Sequence, residues 1–153
     1  MKAIRVSPKA IIIRNGRLLA LKMRDRQGVW YMLPGGGQRH GETVHEALKR
    51  EVREEVGTEV EVGKLCFVRD YIARNHEFAD EEGDAHQIEL MFLCRIADGA
   101  DIGEGAQPDK GQLGLEWLPV AGLEEHRLYP KILRPLIKDI GNQSVPVYLG
   151  DVN

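Results

Sequence analysis

The segment from Val44 to Val56 limits the possible folds of this chain more than any other, because it is helical in pattern yet acidic on its apolar side. At about 100° per residue the apolar side chains form one broad arc, which consists of Val44, Ala47, Leu48, Val52 and Val56. Glu51 and Glu55 fall inside this arc, and Glu54 lies at its edge. Ionised carboxylates on an inward face are costly unless something compensates them. The pattern therefore predicts a core-packed helix whose acidic cluster another group must neutralise.

The spacing of these three glutamates, i, i+3 and i+4, brings their side chains onto one patch. Converging carboxylates repel one another and raise one another's pKa unless a cation lies between them. Ligation by oxygen alone suits Mg²⁺ or Mn²⁺ rather than zinc or copper. The helical wheel places Arg50 and Arg53 on the opposite, solvated side. By itself, the helix is compatible with a metal site and equally with a structural cluster that uses salt bridges from Arg50 and Arg53.

A glycine run directly precedes this helix. Gly35, Gly36 and Gly37 lead through a short polar segment, residues 38–41, into the helical pattern, which we expect to begin at Glu42 and to end before Gly57. Glycine lets the backbone approach a ligand closely and point its polar groups at it. The loop therefore favours the metal site over the structural cluster.

The loop and helix together resemble the sequence box of Nudix hydrolases. That family's pattern is Gly, five residues, Glu, seven residues, then Arg-Glu-aliphatic-x-Glu-Glu-x-Gly-aliphatic. The chain has Gly36, Glu42 and the run from Arg50 to Gly57 in register, and only Thr58 departs, where the family has an aliphatic residue. Flanking residues that also look like the family are Trp30, Leu33-Pro34-Gly35 and Glu116-Trp117-Leu118-Pro119.

The resemblance implies a fold, a domain and a cofactor. The fold is α/β, an α/β/α sandwich with a central mixed β-sheet. We expect a single domain over residues 1–153, with the box at 36–58. The implied cofactor is Mg²⁺ (or Mn²⁺), which in the family is bound together with the diphosphate of the substrate.

The resemblance also implies roles for individual residues. The metal ligands carried over are Glu51, Glu54 and Glu55, with the carbonyl of Gly35 as a further ligand. Glu42 and Arg50 are expected to brace the loop and orient the glutamates through ion pairs.

The implied reaction is attack of water on a phosphorus atom of a diphosphate, with a carboxylate as general base. Family members use either a box glutamate or one on a later loop. The candidates for the catalytic base are therefore Glu54 or Glu55, and Glu104 in the loop from Asp98 to Gln112. A solvent-exposed loop charge is the alternative interpretation of Glu104.

Three functions follow from this resemblance. The first is hydrolysis of a nucleoside diphosphate linked to another group, which yields a nucleoside monophosphate and the phosphorylated group. The second is removal of pyrophosphate from a nucleoside or deoxynucleoside triphosphate. The third is a nucleotide-binding domain without catalysis, which the intact set of glutamates disfavours.

Candidates for substrate binding follow the box. Tyr71 and Phe78 could stack on a base, and Arg69 and Arg74 could reach a phosphate or ribose. The acidic stretch from Asn75 to His86 is expected to be a solvated loop between two strands, or a lid; a second metal site there is the alternative.

Composition excludes several partners. A net charge of −3 gives no general attraction to nucleic-acid polymers or anionic membranes. The partner that the resemblance implies is a small nucleotide-like diphosphate substrate. No apolar segment is long enough to span a membrane, and the first 15 residues lack the apolar region of a signal peptide. We expect a cytoplasmic protein, with a homodimer as an open possibility.

The remaining pattern is that of alternating strands and loops. Asn15-Gly16 predicts a hairpin from Lys9 to Met23. Further strands are expected at Val29–Leu33, Glu59–Val62, Leu65–Ala73, Ile88–Ile96 and Leu115–Val120. A closing helix is expected within Leu123–Ile140, with Pro130 in its first turn and a kink at Pro135. The tail, Asn142–Asn153, is expected to form an edge strand or to lie loose.

Overall fold

The computed structural model describes residues 2–103, 110–142 and 144–153. Its described strands are β1 (Arg5–Arg14), β2 (Arg17–Asp25), β3 (Gly28–Met32), β4 (Glu61–Ile72), β5 (His86–Arg95), β6 (Gln112–Pro119), β7 (Leu128–Tyr129) and β8 (Tyr148–Asp151). The described helices are α1 (Val44–Val56), α2 (Ala79–Glu82) and α3 (Leu133–Leu136), with 3-10 segments at Ala73–Asn75, Val120–Glu125 and Ile137–Asp139.

The strands form one mixed sheet in the order β7-β3-β2-β1-β5-β4-β8, and β6 pairs with β2. Strand β1 joins the two halves of the sheet. Its residues 5–12 run parallel to β5, whereas Ile13 and Arg14 pair with β2 in antiparallel fashion. The predicted α/β fold with a central mixed sheet is confirmed.

The side chains of β1 alternate between two cores, one on each face of the sheet. Ala10 and Ile12 pack with Leu48 and Val52 of α1. Ile11 points to the other face, where it packs with the segments that follow β6. Because a strand turns successive side chains to opposite faces, one apolar run can serve both layers.

The predicted hairpin is confirmed at its turn. Asn15 has φ 52° and Gly16 has φ 70°, so both central residues adopt the left-handed conformation that a two-residue hairpin turn needs. Arg14 and Arg17 are the last paired residues on either side.

The predicted closing helix is present only as the short helix α3, and the predicted position of Pro130 in its first turn is wrong. Between Leu123 and Ile140 the chain forms a 3-10 segment, the strand β7, the short helix α3 and a second 3-10 segment. Strand β7 pairs in parallel with Tyr31 and Met32 of β3, and this pairing uses backbone groups that a helix would need. Pro135 lies in the first turn of α3, where the missing N–H costs nothing, so it marks a start rather than a kink.

One other element differs from the predicted one. The strands predicted at Glu59–Val62 and Leu65–Ala73 are one strand, β4, with register shifts on both sides of Leu65. The tail forms an edge strand, β8, which is one of its two predicted alternatives and runs parallel to β4. Helix α1 is the longest in the described part of the chain and has only 13 residues, so no described helix could cross a membrane.

Candidate active site

Helix α1 begins at Val44, two residues later than predicted. Thr43 is its N-cap: the Thr43 hydroxyl accepts the Glu46 N–H at 3.1 Å, and the Glu46 carboxylate accepts the Thr43 N–H at 2.7 Å. Gly57 ends the helix with φ 79°. Glu42, predicted as the first helical residue, therefore lies in the loop, and its side chain points back to α1.

The guanidinium of Arg50 connects the loop to the acidic face of α1. Its Nε and Nη2 donate to the two oxygens of Glu42 at 2.6 and 3.0 Å, and Nη2 also donates to the carbonyl of Gly37 at 3.0 Å. Its Nη1 donates to Oε1 of Glu51 at 2.8 Å and to Oε2 of Glu54 at 3.5 Å. Side-chain hydrogen bonds with Glu42 raise the pKa of Arg50 despite its partial burial. The predicted solvated position of Arg50 is wrong, since its side chain is only 14% exposed.

The three box glutamates lie where the wheel placed them. Glu55 is fully buried, and its Oε1 accepts the N–H of Gly35 at 2.8 Å. Glu51 and Glu54 are half-buried beside it. Arg53 is exposed and contacts Glu59, so it takes no part in the acidic cluster.

The glycine loop follows β1 closely, and two of its residues must be glycine. A Cβ at Gly35, whose φ is 138°, would lie 2.2 Å from the carbonyl oxygen of Pro8. A Cβ at Gly36 would lie 2.5 Å from Cδ of Glu51. The absence of these side chains lets the loop backbone lie directly against a box carboxylate.

The donor chemistry of this site fits Mg²⁺ or Mn²⁺. Its groups are carboxylates and a backbone carbonyl, the oxygen ligands that these ions prefer. In the described ranges no three His, Cys, Asp or Glu side chains are already arranged around one metal position. Cationic groups instead contact the site: Nζ of Lys9 lies 3.3 Å from the carbonyl oxygen of Gly35, and Arg50 contacts two of the glutamates.

A cavity of about 400 Å³ opens beside the loop. Gly35, Gly36 and Glu51 line one part of it. The aromatic residues of its lining are Trp30, Tyr71, Phe78 and Tyr129, and the basic ones are Arg5, Lys9 and Arg69. The lining of the cavity thus combines residues of the box with basic and aromatic side chains.

The aromatic end has a defined shape. The rings of Trp30 and Tyr129 meet at 69° with centroids 6.0 Å apart, and those of Phe78 and Tyr129 meet at 81° and 5.2 Å. Tyr71 stacks on His76 at 5.2 Å and is almost completely buried. Burial and the nearby Glu82 raise the pKa of Tyr71. Sequence analysis missed Tyr129, because the segment that carries it was predicted to be helical.

Of the four predicted substrate-binding residues, three line the cavity and one lies outside its described lining. Tyr71, Phe78 and Arg69 line the cavity. Arg69 is buried, however, and its guanidinium donates to Glu89 at 2.7 Å and to the carbonyl of Val152 at 2.6 Å. Arg74 is exposed and lies outside the described lining of the cavity. The catalytic candidate Glu104 lies outside the described residues.

The acidic stretch 75–86 connects β4 to β5 and is mostly exposed, as expected, and two of its histidines anchor it to the sheet. Nε2 of His76 lies 2.7 Å from Oδ1 of Asp151, and Nε2 of His86 lies 2.8 Å from Oδ1 of Asp70. Burial raises the pKa of Asp151, but hydrogen bonds, including the one from His76, outweigh it and lower the value to about 2. These contacts hold the aromatic wall of the cavity against β4 and β8.

Sequence analysis missed two basic residues on β1. Arg5 and Lys9 line the cavity, and Lys9 is 9% exposed. Both have the strand parity of the buried Ile11, so they lie on the same face of the sheet. The sequence did indicate the position of Lys9. It adjoins an apolar run and lies two residues from the buried Ile11, so its side chain is expected to point to the same face of the strand.

The ion pair between Glu42 and Arg50 predicts a pH dependence of stability. Hydrogen bonds from the Arg50 side chain and the Arg39 backbone lower the pKa of Glu42 from 4.5 to about 2. Ionised Glu42 therefore stabilises the fold fully above its unfolded pKa, and this contribution is lost as the pH falls toward 2. We expect urea unfolding to show a stability gap between wild type and Glu42→Gln that is constant near neutral pH and narrows below about pH 4.5. A gap that stays constant down to about pH 2.5 would contradict the ion pair.

Comparisons with known proteins agree with this geometry. A family model described as the NUDIX domain matches residues 4–140. The nucleoside triphosphatase NudI of Enterobacter sp. (strain 638) is 42% identical over 88 residues, which are 54% of this chain and 60% of that protein. The nucleoside triphosphatase NudI of Escherichia coli (strain SE11) is 36% identical over 95 residues, 58% of this chain and 66% of that protein. The chain thus spans less than two thirds of the length of these curated relatives.

Solved structures share the fold. A MutT NUDIX hydrolase from Burkholderia pseudomallei superposes with a TM-score of 0.61 at 27% identity, over 78% of this chain and 86% of that one. A NUDIX hydrolase from Nitrosomonas europaea has a TM-score of 0.72 at 16% identity, over 100% of this chain and 80% of that one. At this lower identity, the second likeness concerns the fold alone.

Proposed function

The chain belongs to the NUDIX domain family, and from this premise we propose that it is a divalent-metal-dependent hydrolase that cleaves a diphosphate linkage in a mononucleotide. One observation carries the proposal. A single cavity reaches from Gly36 and Glu51 of the box to the corner formed by Trp30 and Tyr129. Its ends match the two parts of a nucleotide, a phosphate chain and a flat base.

Nucleoside triphosphates are the first substrate class that we propose. Two curated relatives carry the name nucleoside triphosphatase, which favours this class over the nucleoside diphosphate derivatives inferred from the resemblance. The cavity of about 400 Å³ lies toward the small end of the range for small-molecule sites, roughly 300–1,000 Å³. Its one aromatic corner suits a substrate with one base. Nucleoside diphosphates linked to a small group are the second class.

The residues that would hold the metal are Glu51, Glu54 and Glu55, with the carbonyl of Gly35. A bound Mg²⁺ or Mn²⁺ would supply charge neutralisation at the phosphate oxygens and a lower pKa of the attacking water. Arg50 keeps the carboxylates oriented and ties them to the loop through the carbonyl of Gly37.

The proton of the attacking water requires a carboxylate acceptor. We assign this role to Glu54 or Glu55, whose side chains lie on the face of α1 that meets the glycine loop. Glu55 is buried, and its Oε1 accepts the N–H of Gly35. Glu104 is the remaining candidate for this role.

Lys9 is expected to neutralise phosphate oxygens during the reaction. Its ammonium lies at the box end of the cavity, 3.3 Å from the carbonyl oxygen of Gly35. We expect Lys9→Met, which keeps the length of the side chain and removes the charge, to lower kcat/KM by about 10²-fold. Steady-state kinetics would measure this, with Lys49→Met on the exposed side of α1 as the matched control. Equal losses in both variants would show that Lys9 has no specific role.

A substrate panel with product analysis tests the proposed function. The panel contains nucleoside triphosphates, sugar-linked nucleoside diphosphates, ADP-ribose, NADH and dinucleoside polyphosphates, each with Mg²⁺ and with Mn²⁺. Release of inorganic pyrophosphate from a triphosphate supports the first class, and release of a phosphorylated group supports the second. Nucleotide binding without turnover of any compound at saturating metal would instead identify a non-catalytic binding domain.

A further inference from the structure

The glycine loop lies along β1 and places two cations of that strand beside it. Three backbone hydrogen bonds join the segment 34–38 to β1: Ala10 N–H donates to the carbonyl of Pro34 at 2.8 Å, Gly36 N–H to that of Pro8 at 3.2 Å, and Gln38 N–H to that of Val6 at 2.8 Å. Lys9 lies opposite Gly35 in an antiparallel bridge. Because alternate residues of a strand share a face, the side chain of Arg5 lies on the same side of β1 as that of Lys9.

Each of these cations lies against a glycine of the loop. Nζ of Lys9 is 3.3 Å from the carbonyl oxygen of Gly35. A Cβ at Gly37 would lie 2.6 Å from Nε, 3.0 Å from Nη2 and 3.2 Å from Cζ of Arg5, which are its three nearest atoms. Gly37 does not have a positive φ, so its backbone conformation is open to other residues. The space that the Arg5 guanidinium occupies is therefore what favours glycine at this position.

The guanidinium of Arg5 is available to a ligand. Arg5 is exposed at the start of β1 and lines the cavity. In the described ranges its guanidinium makes no hydrogen bond and no ion pair, although Glu51 lines the same cavity. The paired N–H donors of a guanidinium match the oxygens of a phosphate group. Arg5 thus offers the glycine loop an anion-binding group that the described side chains do not use.

We propose that Arg5 selects a chain of three phosphates over a chain of two. Positions 35 and 37 are two residues apart along the loop, so the cations that lie on them are separated by about 7 Å. The outer phosphates of a triphosphate can contact Lys9 and Arg5 together, whereas the adjacent phosphates of a diphosphate reach only one of them. The inference rests on the proposed function, because it takes the phosphate chain of the substrate to lie against the glycine loop. It favours nucleoside triphosphates as the substrate class.

Binding of phosphate-chain analogues tests this inference separately from hydrolysis. The probes are methylphosphonate, methylenediphosphonate and bis(methylene)triphosphonate, whose P–C–P links water does not cleave. Isothermal titration calorimetry would give their Kd values in EDTA and again with Mg²⁺. We expect wild type to bind the triphosphonate about tenfold tighter than the diphosphonate, since a charged hydrogen bond to a third phosphate contributes about this factor. Equal affinities for these two probes in both solutions, or no binding of either, would overturn the proposal.

Two substitutions then assign the preference to Arg5. Arg5→Met removes the guanidinium, and Gly37→Ala keeps it but places a methyl group where it now lies. Each is expected to reduce the ratio of the two Kd values by about five- to tenfold, with the Kd for methylphosphonate changed by less than about twofold. Arg17→Met, at an exposed arginine outside the described lining of the cavity, is the matched control and should keep the wild-type ratio. A ratio that survives in both Arg5→Met and Gly37→Ala would overturn the proposal.

The double variant separates displacement of Arg5 from damage to the loop. Gly37→Ala should change the ratio no further once Arg5→Met is present, because the methyl group acts only by moving the guanidinium. An additional loss in the double variant would show that the alanine acts through the loop itself, against the proposal. If the ratio is present while the substrate panel shows no turnover, the proposed activity is wrong and the role of Arg5 stands. Turnover without the ratio would leave the activity and remove the role of Arg5.

Discussion

Glu54→Gln and Glu55→Gln are each expected to lower kcat by about 10²–10⁴-fold while the fold is retained. Glutamine keeps the shape of the side chain and removes the charge that a dication and a water proton both require. The carbonyl oxygen of a glutamine at position 55 can still accept the N–H of Gly35, which the carboxylate now accepts at 2.8 Å. The change therefore removes metal affinity and basicity without removing the contact that holds the loop.

Two measurements separate this effect from unfolding. Thermal unfolding should show little change, whereas titration with Mn²⁺ followed by electron paramagnetic resonance should show at least about tenfold weaker binding in each variant. Glu59→Gln is the matched control, because Glu59 is exposed and contacts only Arg53 among the ion pairs of the described residues. Full turnover in Glu54→Gln and Glu55→Gln would remove both residues from the proposed ligand set.

Arg50→Lys is expected to lower the free energy of unfolding by about 2 kcal/mol, because it keeps the charge but removes forked hydrogen bonds to partly buried carboxylates. Arg50 makes a two-pronged contact with Glu42 and also donates to Gly37 and Glu51. A lysine ammonium is a point charge that cannot reproduce this fork. We expect kcat/KM to fall as well, by roughly 10–100-fold, since the contacts that orient the glutamates are lost.

Urea unfolding provides the measurement, and Arg53→Lys provides the control. Arg53 lies on the same helix, is exposed, and has Glu59 as its only ion-pair partner in the described ranges, so its replacement should change stability by less than about 0.5 kcal/mol. If both variants were equally stable, the network around Arg50 would contribute nothing beyond an ordinary surface ion pair.

The box region was predictable from the sequence because its information is local. Helical periodicity placed Glu51, Glu54 and Glu55 on the inward side of α1, and the caps at Thr43 and Gly57 define its ends. The hairpin at Asn15-Gly16 was predictable for the same reason, since the turn residues themselves select the backbone conformation. That residues 1–153 form a single domain stays a prediction, and the sequence left the oligomeric state open.

The wrong predictions concern segments whose conformation depends on distant partners. The region from Leu123 to Ile140 has a helical pattern, but β7 pairs with β3, about a hundred residues earlier in the chain. Arg50 was predicted to be solvated because a helical wheel shows only the residues of α1. Its partners Glu42 and Gly37 lie in the preceding loop and do not appear on that wheel. The contacts that anchor the acidic stretch 75–86 to β4 and β8 also depend on distant partners, and the sequence did not reveal them.

The sequence by itself determined the helix, its acidic stripe, the glycine loop and hence the family, because each of these depends on residues close together along the chain. Only the tertiary structure decided which side chains meet in the cavity. Lys9, Gln87, Tyr129 and Asn153 come from four separate segments of the chain. The sheet brings them together through backbone pairing, and no periodicity within one segment encodes that meeting.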